Sequence, residues 1–160
     1  MIIKYSRNTL MMYLFNVIFY LKCSIQQFQV TNGESIRITK VDPTLLPPGY
    51  GPRHMTITTK MSNGQRTVYV VNELKPIISI FKFDNESGKL LNFGEVETMP
   101  STLKGQAAAE IALHPTEKWL YCSNRVVDCV NCTNGSMIIY KVQENGNLEK
   151  IQVFLMFLGS

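Results

Sequence analysis

This chain of 160 residues lacks any run of like charge, and charged side chains make up only 18% of it. Lys and Arg are scattered, and the net charge of +4 is mild. With no basic cluster, nucleic acid is not an expected partner. Cysteine is scarce. Cys23, Cys122, Cys129 and Cys132 match neither a paired disulfide framework nor two zinc half-sites. No Gly-rich phosphate loop, HExxH or GxSxG pattern occurs, so none of the chemistries those motifs mark is indicated.

An apolar stretch long enough for a comfortable membrane span is also missing. Leu10–Leu21, LMMYLFNVIFYL, follows Lys4 and Arg7 and has the length of a signal-peptide core. Lys22 interrupts the small-residue cleavage site such a peptide needs. The alternatives are a buried helix or strand, or a stretch foreign to the mature fold. Residues 1–34 are therefore set apart from a folded unit over 35–160. A cytoplasmic location is expected, or a secreted one if the stretch is a signal.

What the chain does have is short alternating segments separated by turns. Gln26 to Ser35 is polar and reads as loop. Ser35 to Val41 alternates like a half-buried strand. Asp42 to Tyr50, with three prolines and a glycine, reads as a surface connection that cannot continue a strand. A hairpin follows over Met55 to Val71, turning at Ser62-Asn63-Gly64. Further strands are expected over Pro76–Phe83, Leu90–Val96, Ala108–Leu113, Trp119–Ser123, Ser136–Val142 and from Leu148 to Val153.

These segments repeat. TVYVVNE aligns with WLYCSNR, setting Tyr69 against Tyr121 and Asn72 against Asn124. ISIFKFDNESGKL aligns with MIIYKVQENGNL, setting Gly88 against Gly146. A period of about 50 residues with four short strands per unit marks a β-propeller blade. The predicted fold is all-β, with about two four-stranded blades and the outer strand of a preceding one. A closed propeller usually needs four to eight blades, so this is the expected pattern of a portion of a longer ring. Apolar segments at the two ends, or edge-pairing partners, would then cover bare strand edges.

Strand order gathers polar residues at one end of the two blades. Arg53 and His54 begin one innermost strand, and Glu110 begins the other. Glu73 and Arg125 follow the ends of second strands. All five are expected to reach one face. A cation, an imidazole and a carboxylate on one rim suit a polar active site. Glu73 and Glu110 are the candidate general bases, and His54 the proton shuttle or oxyanion donor. Arg53 and Arg125 would grip an anion in bidentate fashion. The competing reading is an ion-pair network that ties adjacent blades together. His114, beside Pro115, reads as a turn residue. Cys129-Val130-Asn131-Cys132 has CxxC spacing with no second pair, and reads as a loop with two free thiols.

At GPRHM, YVVNE, AAEIALHP and YCSNR the sequence resembles the lactonase family of seven-bladed propellers. That family includes bacterial-type 6-phosphogluconolactonase and the fungal carboxy-cis,cis-muconate cyclising enzyme. The resemblance runs from about Ser35 to Val153. It implies a ring with a polar pocket at one mouth, and lactone opening or its reverse without a cofactor. It implies a small, anionic lactone as the partner. The family positions fall on Arg53, His54, Glu73, Glu110 and Arg125. The departure is length, since most of a ring is absent. That leaves three functional readings: a lactone hydrolase, a muconate-type cyclase, and an inactive portion that serves as an interaction module.

Overall fold

The computed structural model describes residues 11–15, 23–32, 36–60, 64–84, 87–99, 105–127 and 134–157. Among these residues run eleven β-strands and no helix. Strands β1 (Met11–Phe15), β2 (Ser24–Asn32) and β3 (Ile36–Leu45) form an antiparallel three-stranded sheet in that order. Strands β4 (Pro52–Ile57), β5 (Arg66–Asn72), β6 (Ile77–Phe83) and β7 (Leu90–Glu97) form a four-stranded meander. Strands β8 (Gln106–Leu113), β9 (Trp119–Val126), β10 (Asn134–Val142) and β11 (Leu148–Phe157) form a second one.

The meanders stack as consecutive blades, and the middle one is covered on both faces. Because side chains alternate along a strand, β5 sends Val68 and Val70 to one core and Tyr69 and Val71 to the other. The first core joins Ile25, Leu46 and Met55 to Val68, Val70, Phe81 and Phe83. The second joins Tyr69, Ile78 and Ile80 to Ile111, Leu120, Ile138 and Tyr140 across the two meanders. Each fully buried aliphatic side chain contributes about 1.5–3 kcal/mol. This is why TVYVV and IISIF are nearly continuous apolar runs.

The blades are also tied at the end where β5 and β9 begin. Tyr69 donates its hydroxyl to the Gly146 carbonyl at 2.8 Å. Lys82 is buried; its Nζ bonds Thr67 Oγ1 at 2.9 Å and also reaches the Asn145 carbonyl.

The structure corrects three expectations. Gln26 to Asn32, read as loop, lies in strand β2. Its polar Gln27 is fully buried because Nε2 bonds the Gly88 carbonyl at 2.5 Å and Oε1 accepts from Thr44 at 2.7 Å. Asp42 to Leu45, read as connection, continues β3. Pro43 is tolerated there because β3 is an edge strand and its register shifts at that point. The sheet before the first full blade has three strands rather than a lone outer one, and β1 comes from the apolar stretch. The rest of Leu10–Leu21 lies outside the described residues, as do Ser62, Asn63, Cys129 and Cys132.

Candidate active site

The site is built where β4 and β8 lie side by side. Gly51 has φ +62, a conformation that favours glycine. Its carbonyl accepts the Glu73 amide at 2.8 Å, which fixes the entry to β4 beside the exit of β5. Glu73 therefore lies next to Arg53, twenty residues away in sequence.

Each innermost strand then bulges at the site. In β4, Pro52 pairs with Asn72 and His54 with Val71, leaving Arg53 as an extra residue. In β8, Ala108 pairs with Asn124 and Ile111 with Cys122, so Ala109 and Glu110 together face Ser123. A bulge re-aims side chains that a regular strand would send to opposite faces. Arg53 and His54 are neighbours in sequence, yet both reach toward β8. Arg53 Nη1 donates to the Ala109 carbonyl at 2.5 Å, and His54 Nδ1 lies 2.7 Å from Glu110 Oε2.

Two groups of polar side chains result. Glu73 sits between two guanidiniums. Arg53 Nε is 3.4 Å from Oε2, and Arg125 Nη2 bonds Oε1. The Glu73 side chain is only 19% exposed, against 58% for Glu110. The second group is the His54–Glu110 pair. Partial burial pushes the Glu110 carboxyl up. Hydrogen bonds from His54 and the Ile111 amide, with the charges of His54 and Arg53, outweigh that and leave it below its ordinary value.

Placement differs in detail from strand order alone. Glu110 lies inside β8 rather than at its start, and Arg125 lies within β9 rather than after it. The aligned Asn72 and Asn124 are buried just before Glu73 and Arg125. Asn72 Nδ2 bonds Ser79 Oγ and Asn124 Nδ2 bonds Ser136 Oγ, each at 3.0 Å, so the strand ends that carry the charged residues are anchored. Ser123 and the Ala109 carbonyl had no signal in the sequence, because only the register brings them to the site. Beneath Glu110, burial pushes the Cys122 thiol up to about 12, helped by the Glu110 charge, so it is no thiolate nucleophile. His114 sits in its turn, 2.8 Å from Thr116 Oγ1. A cavity of about 260 Å³, lined by Thr58, Lys60, Thr67, Glu117, Lys118 and Gly146 among others, opens at the other end of the blades, and none of the five site residues lines it.

Comparison with known proteins places the fold. The family model described as Lactonase, 7-bladed beta-propeller matches residues 24–157. A probable 6-phosphogluconolactonase of Arthroderma benhamiae is 34% identical over 131 residues, covering 74% of this chain and 32% of the relative. The 6-phosphogluconolactonase of Pectobacterium carotovorum is 31% identical over 100 residues, 62% of this chain and 27% of the relative. Among solved structures, a candidate 6-phosphogluconolactonase from Bacteroides fragilis superposes with a TM-score of 0.66 at 25% identity, covering 91% of this chain and 42% of that one. The chain thus spans about a third of the length of the curated relatives it matches. With nearly all its described strands under one family model and its meanders stacked as blades, the chain belongs to the lactonase family of seven-bladed β-propellers.

Proposed function

We propose that this site hydrolyses the ester bond of a small anionic lactone. The observation that carries the reading is the His54–Glu110 pair set beside the Arg53–Glu73–Arg125 group. Lactone opening needs water delivered to a carbonyl carbon, a place for its proton, and stabilisation of the oxyanion that forms. Glu110 accepts from His54 Nδ1, which leaves the Nε2 lone pair to take a proton from water. The protonated imidazole then returns that proton to the ring oxygen as the C–O bond breaks. Arg53 and Arg125 supply positive charge for the substrate's anionic group and the developing oxyanion. Glu73 has both oxygens on guanidiniums, so its part is to hold the arginines apart and in place. The lactonase names of the matched relatives support the substrate class.

Kinetics of three variants test the assignment on a phosphorylated sugar lactone and a carboxylated muconolactone, each corrected for spontaneous hydrolysis. Glu110→Gln should lower kcat by roughly 10²–10⁴-fold while binding persists. Arg125→Ala should raise KM with little change in kcat if its grip is equal in ground and transition states. Glu73→Gln should disturb KM more than kcat. Unchanged kinetics in all three would mean that the charges only tie adjacent blades together.

A further inference from the structure

The bulge in β8 takes two backbone groups out of the ladder, and side chains satisfy both. The Ala109 carbonyl accepts from Arg53 Nη1 at 2.5 Å, across the blade interface. The Glu110 amide donates to Ser123 Oγ at 3.1 Å, within the blade. The repeat supplies an internal comparison. The position equivalent to Ser123 is Val71, which has no hydroxyl and pairs with His54 in register. The β4 bulge therefore has no hydroxyl at that place, whereas the β8 bulge has one.

We propose that Ser123 is a positioning residue for Glu110, holding its backbone so that the carboxylate meets His54. The consequence is local and directional. Glu110 is held at three points: its amide by Ser123, Oε1 by the Ile111 amide at 2.9 Å, and Oε2 by His54 at 2.7 Å. The first fixes the backbone, and the other two fix the carboxylate. Without the hydroxyl the amide turns to solvent and the bulge loses its reason to keep one geometry. The charged and titratable groups around Glu110 are Arg53 and His54 from β4 and the buried Cys122 thiol from β9. Of these, His54 lies within hydrogen-bond distance of the carboxylate, so a turned Glu110 loses its nearest partner.

The kinetic part of this inference rests on the lactone reading; the rest does not. The experiment compares the 160-residue chain with Ser123→Ala and Ser123→Thr, with near-UV circular dichroism confirming that each variant is folded. NMR reads the exchange rate of the Glu110 amide and the titration of its carboxyl carbon. In Ser123→Ala the amide should exchange roughly tenfold faster, as expected for one lost hydrogen bond. The carboxyl should titrate closer to an ordinary glutamate, because its partners lower it in the native site. Ser123→Thr keeps the hydroxyl and should restore both. On a lactone substrate, Ser123→Ala should lower kcat about tenfold at an unchanged KM. An Ala variant with native amide exchange and native titration would overturn the proposal, as would a Thr variant as impaired as Ala. A wild-type chain that opens neither lactone would count against the function alone, because the two NMR readouts would still decide the role of Ser123.

Discussion

The middle blade and the last blade are built from aligned sequences, yet they carry different loads. Every residue of β5 and β6 is buried, because the three-stranded sheet covers one face and the last blade covers the other. In β9 only Leu120, Cys122 and Asn124 are buried, and Trp119, Tyr121, Ser123 and Arg125 are in part open to solvent. Tyr69 is fully buried with its hydroxyl on the Gly146 carbonyl, whereas its counterpart Tyr121 packs edge-on against His114 at 6.3 Å. The two tyrosines are the same β-forming residue at the same place in their strands. What differs is what covers them, and stability follows cover rather than strand propensity.

The largest expected effect tests that directly. Ile78 is fully buried, and its aligned partner Met137 lies on the open face of β10. Ile78→Ala should cost about 2–5 kcal/mol, the range for a core cavity. Met137→Ala should stay within about 1 kcal/mol, because little cavity forms at a half-covered site. Urea denaturation of both variants measures the gap. Equal losses would show that the open face is as well packed as the closed one, and the comparison would fail.

A second pair sharpens it through the backbone. Gly146 has φ +89, and a Cβ there would meet Thr67 Oγ1 and Lys82 Nζ. Neither neighbour can withdraw easily, since the two are bonded to each other in the buried junction between blades. Gly146→Ala should therefore cost about 2–3 kcal/mol, from conformational strain and overpacking together. Gly64 has φ +77 with nothing within 4 Å of the added carbon. Gly64→Ala should cost about 1 kcal/mol, from strain alone. Matching thermal shifts for the two would mean that the turn at Gly146 is free to move off the middle blade.

The contrast also explains what could be read in advance. The two full blades were legible because alternation, turn glycines and the Tyr69/Tyr121 and Asn72/Asn124 matches all repeat in one order. Strand β2 was not legible, since Gln27 is buried through two hydrogen bonds and polarity alone reads as exposure. Nor was the end of β3, where Pro43 sits in an edge strand at a register shift. For the site, strand order sufficed to bring Arg53 toward Glu73 and His54 toward the neighbouring blade. The partner of His54, and the roles of Ser123 and the Ala109 carbonyl, depend on bulges that insert one residue and shift the buried positions by one, from Pro52 to Met55 and from Ala108 to Ile111. A bulge is a change of register, and a single sequence records register only through the contacts it makes.

The smallest expected effect lies at the end of the blades away from the site, where the last blade grips the middle one through Glu117. Its φ of +59 is unusual for a residue with a side chain. The carboxylate explains the placement: Oε1 accepts from the Thr59 amide and hydroxyl, each at 2.6 Å, and Oε2 accepts from the Lys60 amide at 3.1 Å. Partial burial pushes this carboxyl up, but the Thr59 and Lys60 hydrogen bonds and the Lys60 charge outweigh it, so it lies below its ordinary value. A carboxyl lowered in the folded state stabilises the fold above its unfolded pKa. That contribution is lost as pH falls through the folded value, because the unfolded chain takes up the proton first. Glu117→Gln should accordingly lower stability by about 1 kcal/mol at pH 7, a melting shift of about 2–4 °C for a chain of this size. As pH falls below the ordinary carboxylate range, the wild-type and Gln melting curves should converge. A gap that stays constant with pH would assign the loss to packing around the turn, and the ionised carboxylate would then not be what joins the two blades there.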